Sequence, residues 1–152
     1  MADRADVAVF PPALVGGSAL LAFVLQRVAP RRVLPAGIAR VLGVALTTSS
    51  VALALAAFRQ FHMAHTPFDV REPTTAVVTS GVYAYTRNPM YLAMMLMYVG
   101  IGSLANSRWH WLLAPPTAVA LQLAVIAREE AYLERKFGAE YVNYKQHVRR
   151  WL

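Results

Sequence analysis

Val41-Leu-Gly-Val-Ala-Leu-Thr-Thr-Ser-Ser-Val-Ala-Leu-Ala-Leu-Ala-Ala-Phe58 is a run of eighteen residues without Asp, Glu, Lys or Arg. An α-helix rises about 1.5 Å per residue, so a run of this length just crosses a hydrocarbon layer about 30 Å thick. Its Gly, Ala, Ser and Thr are the small and hydroxyl residues that let helices approach closely in lipid. The segment is expected to face other helices.

Three more charge-free runs flank it: Val7 to Gln26, Asn88 to Ser107 and Trp109 to Ala127. Hydrophobic residues make up 57% of the 152 and charged ones 15%, which is too apolar for a soluble domain of this size. The pattern predicts an all-α fold, a polytopic membrane helical bundle with about four transmembrane helices. We expect one integral membrane domain over 1–152, with spans at about 7–26, 41–58, 89–107 and 110–127. The first run makes a poor secretory signal, because Met1 to Asp6 carries Asp3 and Asp6 against Arg4 and no small-residue cleavage site follows. It is read as retained.

The connections carry the polar chemistry. Arg27 to Arg40, with Pro30, Arg31, Arg32 and Pro35, reads as a tight turn between antiparallel helices. The polar loop 59–88 holds His62, His65, Pro67, Asp69, Arg71, Glu72, Pro73 and Gly81, and loops of this length commonly carry function. Asn88-Pro89 marks a helix start, Asn as N-cap and Pro at the first helical position. The third and fourth spans meet around Ala105 to Arg108 and should form a hairpin, with Pro115-Pro116 starting or kinking the fourth helix. A C-terminal amphipathic helix is expected over 128–152. There Leu133, Phe137, Tyr141, Tyr144, Val148 and Trp151 form a helical apolar stripe, divisible at Gly138, that lies on the membrane surface or folds over the bundle.

The net charge of +7 reports basic flanks at an anionic lipid surface and not nucleic acid, for which no readout motif is present. With four spans, ten of the fifteen Lys and Arg share a side with the N-terminus, the 59–88 loop and the tail. That excess favours a cytoplasmic loop and tail, against Arg27, Arg31, Arg32, Arg40 and Arg108 opposite. The absence of cysteine excludes disulfides, thiolate metal sites and a cysteine nucleophile. His62 and His65 lack an evident third ligand, so no metal is expected. His110 reads as an interfacial residue.

Arg87, Asn88, Glu129 and Glu130 lie at the ends of spans three and four, which a hairpin brings together on one side of the membrane. Ionisable groups at that depth are candidates for function; the plainer reading makes Arg87 a snorkelling residue, Asn88 a cap and the glutamates a solvated surface. Adjacent on a helix, Glu129 and Glu130 point about 100° apart, so one can bind a ligand while the other orients Arg128 or Arg87. Gly100 and Gly102 leave two gaps on nearly one helix face, for helix packing or for a close ligand. Tyr83, Tyr85 and Tyr91 would, on the plainer reading, form an interface belt.

Gly81-Val-Tyr83-Ala-Tyr-Thr-Arg87-Asn88-Pro89-Met-Tyr91, Gly100-Ile-Gly102, Glu129-Glu130-Ala-Tyr-Leu133 and Phe137-Gly138-Ala-Glu-Tyr141-Val-Asn-Tyr144 resemble the isoprenylcysteine carboxyl methyltransferase and phospholipid methyltransferase superfamily of membrane enzymes. The likeness runs from about Phe58 to the C-terminus. It implies a bundle that encloses S-adenosylmethionine and transfers its methyl group to a lipophilic small-molecule or lipid acceptor arriving from the membrane lipids. By the resemblance Tyr83, Arg87, Asn88, Tyr91, Gly100, Gly102, Glu129 and Glu130 line the cofactor site. Arg87 and Glu129 would act in catalysis, and Glu129 or Tyr141 would serve as base where the acceptor must lose a proton. The family usually has His where this chain has Asn88; an amide hydrogen-bonds but carries no proton at neutral pH. Two rival readings keep the bundle: a membrane reductase using a nicotinamide cofactor, for which no dinucleotide loop is visible, and a non-catalytic membrane scaffold.

Overall fold

In a computed structural model of the chain, which describes residues 5–67 and 72–152, the apolar runs form helices. Asp3, Arg4, Asp69 and Arg71, noted above, lie outside the described residues. The helices are α1 (Pro11–Val28), α2 (Ala36–Met63), α3 (Pro89–Leu104), α4 (Arg108–Leu121), α5 (Ala127–Phe137) and α6 (Ala139–His147). A π-helical turn, Gln122–Ile126, joins α4 to α5, and a 3₁₀ turn, Gly81–Ala84, precedes α3. No strand occurs among the described residues, so the expected all-α membrane bundle is observed.

Three helices are long and apolar enough to cross a membrane: Pro11–Val28, Ala36–Met63 and the continuous stretch Arg108–Phe137. The apolar α3 has 16 residues and reaches about 24 Å. It ends at Leu104 and not Ser107, because the hairpin turn places Asn106 at φ 47°. α2 has 28 residues, about 42 Å, so its last turn extends past a layer about 30 Å thick. The fourth helix likewise continues beyond Ala127. It starts at Arg108, runs through Pro115 and Pro116, and carries Glu129 and Glu130 on its α5 extension. The expected single helix over 128–152 is thus the end of a long helix, a break at Gly138 (φ 54°) and the separate α6. A positive φ there suits glycine, which has no Cβ to clash.

Close packing holds α2 against α3, the most extensive helix pair. A Cβ on Gly43 would sit 2.6 Å from Leu104 Cγ, and one on Gly100 would sit 2.7 Å from Thr47 Cγ2. Between these contacts and the cavity end, Ser50 Oγ donates to the Ala93 carbonyl at 2.7 Å. On the other flank Ser18 Oγ bonds Tyr98 OH (3.1 Å) and Thr117 Oγ1 (2.6 Å), tying α1 to α3 and α4. Such bonds between helices replace the hydrophobic drive that lipid does not supply.

The two short connections at one end of the bundle interlock. Asn106 Oδ1 accepts from the backbone N–H groups of Val33 and Leu34, its Nδ2 donates to the Leu34 carbonyl, and Trp109 Nε1 donates to the Ala29 carbonyl. His110, read above as an interfacial residue, is instead buried on the first turn of α4 against Gly102 and bonded through Nδ1 to Ser107 Oγ at 3.0 Å.

These contacts give a direct stability test. Gly43→Ala and Gly100→Ala should each destabilise the detergent-solubilised protein by about 1–3 kcal/mol through overpacking. Gly16→Ala, whose new methyl meets nothing within 4 Å, should be neutral or stabilising. Denaturant unfolding followed by circular dichroism reads all three, and equal behaviour of Gly100→Ala and Gly16→Ala would count against this packing.

Candidate active site

At the bundle end away from the interlocked connections, a cavity opens between the start of α3, α5, α6, the end of α2 and the loop before the 3₁₀ turn. Its polar wall holds Tyr83, Arg87, Asn88, Tyr91, Glu129, Glu130, Tyr141 and Tyr144; Phe10, Phe61, Met90, Met94 and Leu133 give it an apolar side.

Pro89 takes the first helical position of α3, as its missing N–H predicts. Asn88 occupies the N-cap position but does not cap: its Nδ2 donates to the Arg150 carbonyl at 2.9 Å. One turn on, the buried Tyr91 turns its hydroxyl across to α5 and donates to Glu129 Oε2 at 2.7 Å.

The two glutamates diverge as helix geometry requires. Glu130 is 5% exposed. Its Oε1 accepts Arg150 Nε at 3.0 Å, its Oε2 accepts Arg150 Nη2 at 2.6 Å, and Arg87 Nη2 lies 3.3 Å from Oε1. A buried carboxylate is tolerated when cations and hydrogen bonds replace its hydration. Glu130 is thus engaged by Arg87 and Arg150, whereas Glu129 is engaged by Tyr91, and both line the cavity. Arg128 instead donates through Nη1 to the Asp6 carbonyl at 3.2 Å.

Arg87 is held by more than its charge. Its backbone N–H donates to the Arg149 carbonyl at 2.9 Å, and its side chain is 8% exposed. Its Nε and Nη1 are buried without a hydrogen-bond partner among the described residues. Buried unpaired guanidinium donors are costly, and Arg87 is one of the residues that line the cavity. The snorkelling alternative does not hold, since the side chain is enclosed.

Of the three aromatic residues read as a membrane belt, Tyr83 and Tyr91 are buried in the cavity wall and Tyr85 alone is 78% exposed. Tyr144 OH donates to the Tyr83 carbonyl at 2.7 Å, and Phe61 meets the Tyr83 ring edge-on at 5.5 Å. Burial raises the pKa of the Tyr141 phenol, Glu130 raises it further, and Arg87 opposes both in part. Burial likewise raises Tyr83, with Glu129 adding to the shift.

Gly100 and Gly102 do not line the cavity. Gly100 lies about 13 Å along α3 from Tyr91, against Thr47, and Gly102 adjoins His110. Their role is close packing. Sequence reading also missed Arg150, whose partners lie 20 and 62 residues away, and the N-terminal Phe10. Leu133 and Tyr144 had been placed in the apolar stripe, but their position in the cavity wall had no signal of its own.

The family model described as phospholipid methyltransferase matches residues 37–140, from the first turn of α2 into α6. An uncharacterized protein of Haemophilus influenzae is 43% identical over 63 residues, which covers 41% of this chain and all of that protein. No solved structure matches. With the matched span covering most of the chain and three long apolar helices framing the cavity, this integral membrane protein belongs to the phospholipid methyltransferase family.

Proposed function

We propose that the chain transfers the methyl group of S-adenosylmethionine to a lipophilic acceptor that reaches the cavity from the bilayer. The observation that carries this reading is Arg87, which lines the same cavity as Glu129 and Tyr91 and whose buried Nε and Nη1 have no hydrogen-bond partner among the described residues. A guanidinium N–H makes a charge-assisted hydrogen bond to a carboxylate, so either free donor can give one such bond to the carboxylate of the ligand's amino-acid end. Glu129 supplies the opposite charge for its ammonium or sulfonium, and Tyr91 holds the Glu129 carboxylate in place.

When bound, S-adenosylmethionine supplies an electrophilic methyl whose C–S bond breaks toward sulfur, leaving a neutral thioether as the acceptor's lone pair forms the new bond. The protein's part is alignment and exclusion of water. Tyr83, Tyr141 and Tyr144 close the polar wall, and Phe10, Met90, Met94 and Leu133 present an apolar face to a lipophilic acceptor. A carboxylate acceptor needs no base. An amine or thiol must give up a proton, a role we assign to Glu129 or Tyr141.

Isothermal titration of S-adenosylmethionine into the detergent-solubilised protein tests the reading. The parent should bind saturably; Arg87→Ala and Glu129→Gln, each verified as folded, should lose about 10- to 100-fold in affinity, the worth of a charge-assisted hydrogen bond. A folded, lipid-supplied parent that does not bind would sink it.

The basic excess on the cavity side further supports a cavity facing the cytoplasm. Since the sequence has no cysteine, single introduced thiols report sidedness cleanly. Tyr85→Cys should react with a membrane-impermeant maleimide in inside-out vesicles and Arg32→Cys in right-side-out vesicles. The opposite pattern would reverse the orientation.

A further inference from the structure

Glu130 has two guanidinium neighbours and treats them unequally. Arg150 takes both carboxylate oxygens side-on, Nε to Oε1 at 3.0 Å and Nη2 to Oε2 at 2.6 Å. Arg87 is left one longer contact, Nη2 to Oε1 at 3.3 Å, and keeps Nε and Nη1 unpartnered. A carboxylate that has already accepted one bidentate guanidinium cannot accept a second in the same geometry. The seat of Arg150 is fixed independently of its charge. Asn88 Nδ2 (2.9 Å) and Thr86 Oγ1 (3.2 Å) donate to its carbonyl, and the Arg87 N–H donates to the preceding carbonyl of Arg149. The C-terminal segment is thereby tied to the three residues that open α3.

We propose that Arg150 is a positioning residue for ligand binding: by saturating Glu130 it keeps the Arg87 guanidinium turned into the cavity, ready for the ligand's carboxylate. This rests on the cofactor reading above. Without Arg150, Glu130 is free to take Arg87 side-on through Nη2 and Nε, and the guanidinium is drawn onto the protein's own carboxylate and away from the ligand. The residue at 88 acts in the same device. Asn88 spends its amide on the Arg150 carbonyl, so a position that carries His in the family serves here to seat the C-terminal segment.

The test compares two ligands that differ at the amino-acid end. S-adenosylhomocysteine carries the carboxylate, whereas methylthioadenosine keeps the nucleoside and thioether without it. In the folded full chain, Arg150→Gln should weaken S-adenosylhomocysteine about tenfold or more, and leave methylthioadenosine unchanged. In an Arg87→Ala background the same substitution should cost nothing further, because residues that act through one another are not additive. Equal losses for both ligands, no loss for either, or additive losses in the double variant would overturn the proposal and leave the cofactor reading standing. A folded parent that binds neither ligand would overturn both. The double-variant comparison needs only S-adenosylhomocysteine and decides the matter even where methylthioadenosine binds too weakly to measure.

Discussion

The carboxylate of Glu130 is the constraint around which this end of the molecule is arranged. An ion enclosed by protein and set close to a hydrocarbon layer loses several kcal/mol of hydration, and it is retained only with matched countercharge. Arg87 from the start of α3 and Arg150 from the C-terminal segment supply it. Three parts of the chain that are remote in sequence must therefore meet at one point, and the cavity is the space their meeting encloses. The excess cation remains in the wall: two arginines face one Glu130 carboxylate, and Glu129 is engaged by a neutral phenol. The polar wall thus offers both a cationic and an anionic group, the pattern that a zwitterionic ligand requires.

A second constraint comes from the long helix that carries both glutamates. Its π-helical turn, Gln122–Ile126, breaks the regular bonding ladder just before Ala127, and π turns release backbone groups for other uses. The Ala124 carbonyl accepts the N–H of Ala8 at 3.0 Å, and Gln122 Oε1 accepts Trp151 Nε1 at 3.1 Å. The N-terminal and C-terminal segments are thus both anchored to the irregular turn, one beside Phe10 in the cavity wall and the other beside Arg150. A regular α-helix through the same residues would turn Glu129 and Glu130 by a different angle relative to α4. The extra residue of the π turn is part of what aims Glu129 at Tyr91 and Glu130 at the arginines.

The bundle was legible because membrane helices announce themselves through uninterrupted apolar composition. Each charge-free run holds a helix, and Pro89 and Gly138 punctuate the chain where backbone chemistry predicts. The helix ends were less legible. Met63 and Phe137 lie beyond the apolar runs, because helices continue into polar sequence when tertiary contacts support them. Arg87, Asn88, Tyr91, Glu129 and Glu130, singled out in the sequence, do meet around one cavity. The functions of the glycines were not, because a missing side chain has the same signature whether a ligand or Thr47 fills the gap. Arg150 was hidden for a different reason, since in a basic tail beside Arg149 it looks like any solvated cation. Only the fold, by returning the C-terminus to α3, distinguishes it.

The geometry also explains why a single cavity can serve ligands of opposite character. Its polar groups come from the ends of helices that overrun the hydrocarbon, α3 at its first turn and α5 at its extension, where charge can be solvated or paired. Its apolar groups, Met90, Met94 and Leu133, come from the same helices one face or one turn away. Because side chains on a helix repeat every 3.6 residues, Tyr91 can face a polar partner, as Arg87 does just before the helix, while Met90 and Met94 present thioether side chains beside them. Methionine is suited to such a boundary, being apolar and adaptable in shape. The short stretch from Arg87 to Met94 therefore holds both halves of the proposed chemistry, the charge that fixes a water-soluble donor and the apolar surface that accepts a lipid-borne partner.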